Sequence, residues 1–207
     1  DAFINSAITG TNGGLIVVAA DDPSMHSSQN EQDSRFYGKF AMMPILEPTN
    51  QQEAYEMMRY GFEMSEKFGI PVLVRITTRL AHSRSGVVRK PALEQNELRI
   101  PGNPKQFILL PVNARRQYHK LLQNQELFRA ASEKSPFNKY VEGDDKKMGV
   151  ITSGIGYNYL MENYQNGSFP YPLLKISQYP LPEKMIREIY DTCDELILIE
   201  EGYPFIE

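Results

Sequence analysis

The sequence predicts an α/β protein made of two three-layer units, each with a mostly parallel sheet. Two short apolar runs, at 15–20 and 72–76, are separated by a polar loop and an amphipathic helix. This order of strand, loop, helix and strand is a βαβ pattern, which places the two strands parallel in one sheet. A second alternation of apolar runs and amphipathic segments begins at Met148 and indicates the second unit.

The stretch between the two patterns defines the expected domain organisation. Residues 89–106 contain three prolines and few large apolar side chains, which is typical of an extended linker. We therefore expect a first unit at residues 1–88, a linker at 89–106 and a second unit at 107–207.

The elements of the first unit follow from the spacing of its apolar residues. Residues 3–9 have helical spacing, and Gly10 is expected to end that helix. The strand Leu15–Ala20 is apolar throughout, so we expect both of its faces to be covered. Asn50 followed by Glu53 predicts the capped start of a helix that runs to Gly69, and Pro71 precedes the strand Val72–Ile76.

The second unit is predicted in the same way. A long amphipathic helix is expected over about 114–132, and the charged segment 142–147 is expected to be a loop or hairpin. The remaining pattern predicts strands at Met148–Ile151, Leu173–Ile176 and Leu196–Ile199, with helices at Tyr157–Tyr164 and Pro182–Cys193.

Composition excludes several classes of function. The 207 residues are 41% hydrophobic and 23% charged, with a net charge of −4, so no basic surface for nucleic acid is indicated. The longest basic cluster, Arg115 and Arg116 with Lys120 nearby, is interpreted as a solvated helix face. The single cysteine, Cys193, excludes an internal disulfide or a paired-cysteine site. No apolar run is long enough to cross a membrane, and we expect a cytoplasmic protein that binds neither membrane nor nucleic acid.

The polar segment after the first strand is the strongest candidate for a site. It reads DDPSMHSSQNEQD, from Asp21 to Asp33. In open α/β sheets, ligands bind beyond the carboxyl ends of the strands, and loops on a rigid scaffold often carry function. We expect this loop to contact a small polar ligand through Asp22, His26, Ser27, Ser28, Gln29, Asn30 and Glu31.

A metal site is the alternative interpretation of the same loop. Asp21, Asp22 and His26 are of the types that bind a divalent metal, but no second histidine lies nearby and Asp22-Pro23 is also a common way to begin a turn. We expect no metal site carried by these residues.

Weaker candidates lie elsewhere in the chain. The turn Thr152–Gly156 resembles a phosphate cradle, but it has no third glycine and no lysine, so a tight turn between strand and helix is favoured. Glu200 and Glu201 follow a strand and are interpreted as a subunit or domain contact. His82 lies near a strand end with no assigned role, and His119 is expected to be a solvated helix residue. No catalytic residue is assigned from spacing.

Longer stretches of the sequence resemble a known family. Residues 13–55 and 68–88, and later residues 149–160 and 179–207, closely resemble the α-subunit family of the indolepyruvate ferredoxin oxidoreductases. These enzymes are thiamine-diphosphate-dependent 2-oxoacid:ferredoxin oxidoreductases. The string from Asp21 to Asp33 is the most specific part of the match, whereas the stretches 79–105 and 115–147 match least distinctly.

The resemblance implies both an activity and an architecture. The family oxidatively decarboxylates aryl 2-oxoacids such as indolepyruvate to acyl-CoA, with ferredoxin as the electron acceptor. It uses thiamine diphosphate with magnesium and 4Fe-4S clusters, and it pairs an α with a β subunit. Residues 1–88 would be the later half of a truncated pyrimidine-binding domain, and 107–207 a domain similar to the transketolase C-terminal domain. The loop from Asp22 to Glu31 would then face the cofactor or the substrate.

Several family motifs are missing from the sequence. We find no activating glutamate, no diphosphate-binding motif and no cysteines for clusters. We therefore expect a fragment of the subunit that binds none of these cofactors alone and does not turn over. A related oxidoreductase with a different 2-oxoacid, and a non-catalytic α/β interaction domain, are the two alternatives.

Overall fold

The computed structural model describes residues 1–164 and 169–207, which form two four-stranded sheets with helices packed around them. In the first half of the chain the helices are α1 (Ala2–Thr9), α2 (Ser34–Ala41), α3 (Gln51–Phe68) and α4 (Thr78–His82), and the strands are β1 (Ile16–Asp21), β2 (Ile45–Leu46) and β3 (Val72–Thr77). The second half contains the helices α5 (Pro111–Glu133), α6 (Gly156–Met161) and α7 (Glu183–Thr192), and the strands β4 (Lys139–Val141), β5 (Met148–Ser153), β6 (Leu173–Ile176), β7 (Gln178–Tyr179) and β8 (Glu195–Ile199).

The first sheet has the order β1-β3-β2-β7. Strands β1, β3 and β2 are parallel, so their carboxyl ends lie at one edge, and Asp21 is paired with Thr77 there. The fourth strand, β7, comes from the second half of the chain and pairs antiparallel with β2. The second sheet has the order β4-β6-β5-β8, in which only β4 is antiparallel to its neighbour. The predicted α/β class with two mostly parallel sheets is confirmed.

The prediction that both faces of the first strand are covered is wrong. β1 lies at the edge of its sheet, and Val18 is half exposed on it. Ala20 is exposed as well. An edge strand has a neighbour on one side only, so an apolar sequence did not guarantee burial at this position.

Helix α3 shows how local sequence fixes an element. The side chain of Asn50 accepts a hydrogen bond from the Glu53 amide at 2.9 Å, and the Glu53 carboxylate accepts from the Thr49 amide at 3.0 Å. This reciprocal pair satisfies amides that the first helical turn leaves free. The helix ends at Gly69, whose φ of 63° is readily adopted only without a Cβ. The predicted capped helix is therefore confirmed.

The core lies on both faces of the first sheet. On one face, Val72 and Val74 pack against Met57 and Met64 of α3. On the other face, Ile45 and Leu73 belong to a cluster shared with the second sheet, whose members are Ile151, Leu174, Ile176, Tyr179, Ile189 and Phe205. Helix α5 also packs against the first half of the chain, because Phe128 contacts Phe68 with ring centroids 5.3 Å apart.

Two short helices differ from the sequence-based expectation. Helix α4, which follows the second predicted strand directly, was not predicted. Helix α2 was not predicted, and it begins where the side chain of Asp33 accepts a hydrogen bond from the Arg35 amide at 3.1 Å. No regular element lies between α4 and the 3-10 turn at Pro104–Phe107, which agrees with an extended segment there.

Candidate functional site

The polar loop leaves the carboxyl end of β1 and leads into α2. A single 3-10 turn, Pro23–Met25, opens it, and the loop returns to the sheet at Asp33. Because β1 and β3 are parallel neighbours, the loop lies above the start of α4, which follows β3 directly. The predicted loop therefore occupies the edge of the sheet at which α/β proteins bind ligands.

Asp22 holds the loop together from inside. It is buried, and its Oδ2 accepts hydrogen bonds from the amides of Ser27 and Ser28, both at 2.7 Å. Its Oδ1 accepts from the hydroxyl of Thr78 at 2.7 Å. The Thr78 hydroxyl and the Ser27 amide hold the pKa of Asp22 well below its ordinary value because they favour the charged carboxylate. Both carboxylate oxygens of Asp22 therefore bind groups of the protein, and Asp22 shapes the loop.

A second carboxylate fixes the turn itself. Ser24 and Met25 have φ values of 65° and 52°, which non-glycine residues rarely adopt. The Glu31 carboxylate accepts a hydrogen bond from the Ser24 amide at 2.7 Å, and Gln32 accepts from the Asp22 amide at 3.2 Å. Such a backbone costs about 1–3 kcal/mol per residue and persists only where surrounding contacts determine it.

The outer surface of the loop is polar and accessible. His26, Ser27, Gln29 and Asn30 are exposed, while Ser28 is half-buried. Nδ1 of His26 lies 2.8 Å from the Pro23 carbonyl oxygen. Since a carbonyl can only accept, Nδ1 carries the proton, and Nε2 remains as the free nitrogen of an imidazole that is otherwise exposed. The loop therefore presents an oriented imidazole next to amide and hydroxyl groups.

A buried arginine cluster lies beneath the loop, and the sequence patterns did not reveal it. We use this name for the two arginines Arg35 and Arg75, both 0% exposed, and the four carboxylates around them, Asp21, Asp33, Glu47 and Glu200. Both guanidinium groups are paired with carboxylates, as buried charges must be, and Glu200 is the carboxylate of the cluster that keeps most contact with water.

Arg75 occupies the centre of this cluster from its position in β3. Its Nε donates to Asp21 Oδ2 at 2.6 Å, and its other groups bind the Glu47 carboxylate and the Glu201 carbonyl. Burial alone would lower the pKa of Arg75, but the nearby charges of Glu47 and Asp33 raise it, so the guanidinium remains charged.

Arg35, near the start of α2, joins the loop to the end of β8. It donates to Asp33 at 2.5 Å and to Glu200 at 2.8 Å, and it also reaches the Tyr203 carbonyl at 3.0 Å. Burial acts to lower its pKa, but the hydrogen bond to Asp33 and the charge of Glu47 raise it. The segment after β8 is therefore fixed against the first sheet by an arginine from the other half of the chain.

The cluster brings the carboxyl ends of both sheets together. Ser153 at the end of β5 lies 3.4 Å from Arg35, and a Cβ built on Gly154 would come within 2.7 Å of the Glu47 carboxylate. Tyr179 donates to Glu47 at 2.7 Å. Burial, followed by the negative charge of Glu47, raises the pKa of Tyr179 well above its ordinary value, so the phenol remains a donor.

The same cluster clamps the polar loop at both of its ends. Asp21 immediately precedes the loop, and it accepts from Ser34 at 2.7 Å as well as from Arg75. Asp33 immediately follows the loop and binds Arg35. The residues between the two aspartates are thus held on a fixed base, which is the arrangement that a preorganised binding loop needs.

The remaining candidates are placed as follows. Glu200 forms a contact between the two halves of the chain, as expected, and its Oε1 accepts from the Phe205 amide at 3.0 Å. His82 and His119 are both exposed, at the end of α4 and on α5. Cys193 is half-buried, and burial raises its pKa. The Thr152–Gly156 segment is a tight turn from β5 into a helix of one and a half turns.

Neither a metal cluster nor a membrane span is found in the described part of the chain. Among residues 1–164 and 169–207, no group of three His, Cys, Asp or Glu side chains is arranged to hold a metal ion. Asp21 and Asp22, which were the candidate ligands, bind other groups of the protein. Within the same ranges, no helix is both long and apolar enough to cross a membrane.

Comparison with solved structures identifies a protein of similar fold. No protein-family model matches the chain. The fold is similar to that of a 2-oxoglutarate:ferredoxin oxidoreductase from Magnetococcus marinus, solved with 2-oxoglutarate, coenzyme A and succinyl-CoA bound. The TM-score is 0.62 at 16% sequence identity, over 93% of this chain and 42% of that one. The chain therefore shares its fold with a segment of that protein.

Sequence comparison identifies relatives in one subunit family. The chain is 40% identical to the indolepyruvate oxidoreductase subunit IorA of Archaeoglobus fulgidus over 100% of its length, and 37% identical to that of Methanothermobacter thermautotrophicus. It is 40% identical to the IorA subunit of Pyrococcus horikoshii. The chain is homologous to these subunits along its whole length and spans about a third of theirs. The resemblance seen in the sequence is confirmed.

Proposed function

We propose that this chain is part of the α subunit of an indolepyruvate:ferredoxin oxidoreductase and forms one wall of its active site. The observation that carries the proposal is the identity of 37–40% to IorA subunits across the whole chain. In the proposed reaction, an aryl 2-oxoacid and coenzyme A give carbon dioxide and an acyl-CoA, while two electrons pass to ferredoxin. The subunit would work with a β subunit and with ferredoxin as partners.

The proposal also assigns roles to the parts of the chain. Residues 1–88 would be the later half of a pyrimidine-binding domain, 89–106 a linker, and 107–207 a transketolase C-terminal-like domain. The buried arginine cluster supports this assignment because it joins the carboxyl ends of the two sheets beside the loop. Sites formed between two such edges are common in α/β proteins.

Thiamine diphosphate would supply the electron sink for decarboxylation when bound. The exposed imidazole and amides of His26, Gln29 and Asn30 fit contact with its reacting end or with the 2-oxoacid, since they offer both donors and acceptors. The described residues do not fit its diphosphate and magnesium, and the single Cys193 does not fit a 4Fe-4S cluster. In the proposed enzyme these groups are bound by other parts of the subunits.

His26 is the residue of this loop with the clearest chemical role. The Pro23 carbonyl fixes a proton on Nδ1, so that Nε2 is the ring atom left to face a ligand. Nε2 can only accept when it is unprotonated, and it donates to an oxygen of the 2-oxoacid when it also carries a proton. The clamped loop base holds the ring in place, which reduces the cost of ordering it on binding. We propose that Nε2, when protonated, donates a hydrogen bond that orients the 2-oxoacid at the loop.

The test uses the full-length α subunit assembled with its β subunit. We expect His26→Gln to lower kcat/KM for indolepyruvate by about tenfold or more, because one positioned hydrogen bond or proton transfer is lost. The control is His119→Gln, which makes the same change at an exposed site on α5 and should leave kcat/KM within about twofold. Reduction of ferredoxin is the readout.

Two results would count against the proposal. If His26→Gln retains most of the wild-type kcat/KM, the loop is not part of the active site. If the wild-type enzyme oxidises another class of 2-oxoacid but not indolepyruvate, the proposed reaction class is retained and the proposed substrate is wrong. The 207-residue chain on its own is expected to show no oxidation of indolepyruvate with an added electron acceptor.

A further inference from the structure

A cavity of about 290 Å³ lies at the opposite edge of the first sheet from the polar loop. It is bounded by the end of α1, by the turn that precedes β3, by the segment around Asn103 and by one face of α5. The strands β1 and β3 begin near this edge, so the cavity is separate from the carboxyl-end site. The family comparison gives it no role.

The charged side chains that line the cavity are all positive. Lys105, Arg116 and Lys120 all line it, and no Asp or Glu does. None of the three forms an ion pair with any residue that the structure describes. The sequence pattern had assigned Arg116 and Lys120 to a solvated helix face, and both side chains are exposed in the structure. The approach of Lys105, which is distant in the chain, was not foreseen.

A second cavity in the same molecule shows that this bias is not a general property of the surface. That cavity, of about 590 Å³, lies between α3 and the segment before β4. Its lining balances three carboxylates against three cations, namely Glu53, Glu56 and Glu63 against Arg59, Lys90 and Lys139. Lys90 and Glu56 pair there at 3.1 Å. The smaller cavity therefore stands out by carrying positive charge that is not neutralised locally.

The smaller cavity also contains polar atoms that lack partners. Oγ1 of Thr11 and Oε1 of Gln117 are both buried without a hydrogen-bond partner among the described residues. The amide nitrogen of Gln117 already donates to the Gln106 carbonyl at 2.7 Å, so this side chain is held in place. Buried polar atoms without partners are uncommon in native proteins and call for an explanation. A bound phosphate would accept from the Thr11 hydroxyl, whereas the Gln117 oxygen needs a donor such as a ligand hydroxyl.

We propose that this cavity binds a small molecule bearing a phosphate group. Its volume lies just below the range of about 300–1,000 Å³ for ligand sites, which favours a small ligand with one or two phosphates. Lys105, Arg116 and Lys120 supply the charge that a phosphate needs, and guanidinium groups bind phosphate oxygens through two hydrogen bonds. The Thr11 hydroxyl and Asn103 amide supply neutral donors.

The test is a calorimetric titration of the 207-residue chain with pyrophosphate at low ionic strength, compared with sulfate. We expect saturable binding that weakens as salt is added, with pyrophosphate bound more tightly than sulfate. Arg116→Gln is expected to weaken pyrophosphate binding by about tenfold. Arg115→Gln removes the same charge from the adjacent exposed position, which does not line the cavity, and should leave the affinity within about twofold.

Either of two results would overturn the proposal. The first is the absence of saturable pyrophosphate binding at low ionic strength. The second is an equal loss of affinity in both arginine variants, which would indicate a diffuse surface field in place of a site. Circular dichroism of each variant verifies that the helix is retained, and Lys120→Gln provides an independent second removal of a lining cation.

Discussion

Replacement of Arg75 by methionine tests whether the buried arginine cluster holds the two halves of the chain together. The guanidinium is fully buried, 2.6 Å from Asp21 and in contact with Glu47. Methionine has a similar length and an apolar end, so Arg75→Met removes the charge with little change of volume. The variant therefore leaves two buried carboxylates without their main cation.

The size of the effect follows from the burial. Removing one partner of a buried ion pair costs about 3–5 kcal/mol, because the remaining charge stays out of water. A domain of this kind has a free energy of unfolding of about 5–15 kcal/mol, so Arg75→Met is expected to lose a large part of it. A second change, Glu47→Gln in the same variant, removes one of the orphaned charges and should recover about 1 kcal/mol or more.

The assay is equilibrium urea unfolding at neutral pH, followed by far-ultraviolet circular dichroism. Tyrosine fluorescence serves as the second probe, since the chain has 12 tyrosines and no tryptophan. The control is Arg99→Met, which breaks a pair with Glu97 whose side chains are 79% and 76% exposed, and it should cost less than about 1 kcal/mol. A loss below about 1 kcal/mol in Arg75→Met, or no recovery in the double variant, would refute the reasoning.

Two further predictions concern the loop and the packing of α5. The contacts that lower the pKa of Asp22 stabilise the folded loop fully above the ordinary value of 3.8, and this contribution is lost only as the pH falls below it. In a His26→Gln background, which removes the imidazole 3.4 Å from Asp22, the loop amides should therefore keep their NMR shifts between about pH 5 and 8. Adding Asp22→Asn should shift them throughout, and a transition near neutral pH in the His26→Gln protein would contradict this. Phe128→Ala should lower the free energy of unfolding by about 3–5 kcal/mol, because the side chain is 1% exposed, whereas Leu127→Ala, at a half-exposed position, should cost far less. Equal losses in the two helix variants would show that α5 is not anchored by this contact.

The sequence predicted those elements whose signals are local. The capped start of α3 depends on Asn50 and Glu53, three positions apart, and the structure contains that pair. The polar loop was recognised because it interrupts an apolar run at a strand end. Helix α2 was missed because it has only eight residues, and Pro44 and Pro48, which break helices, follow it closely.

The buried arginine cluster could not be predicted in the same way. Arg35 and Glu200 are 165 positions apart, and Arg75 and Asp21 are 54 positions apart. No periodicity links residues at such separations, and only the order of the strands brings them together. One signal was present: Arg75 interrupts the second apolar strand, and a charged residue in a strand buried on both faces requires buried partners.

The clamp on the polar loop has an entropic consequence. Closing a flexible segment and fixing its side chains costs conformational entropy, and this cost lowers ligand affinity when the ordering occurs on binding. Here Asp21 and Asp33 hold the two ends, and Asp22 and Glu31 hold the interior, before any ligand arrives. The loop therefore loses its conformational entropy during folding, where the contacts of the buried arginines offset that loss. The exposed imidazole and amides can then bind with little further ordering.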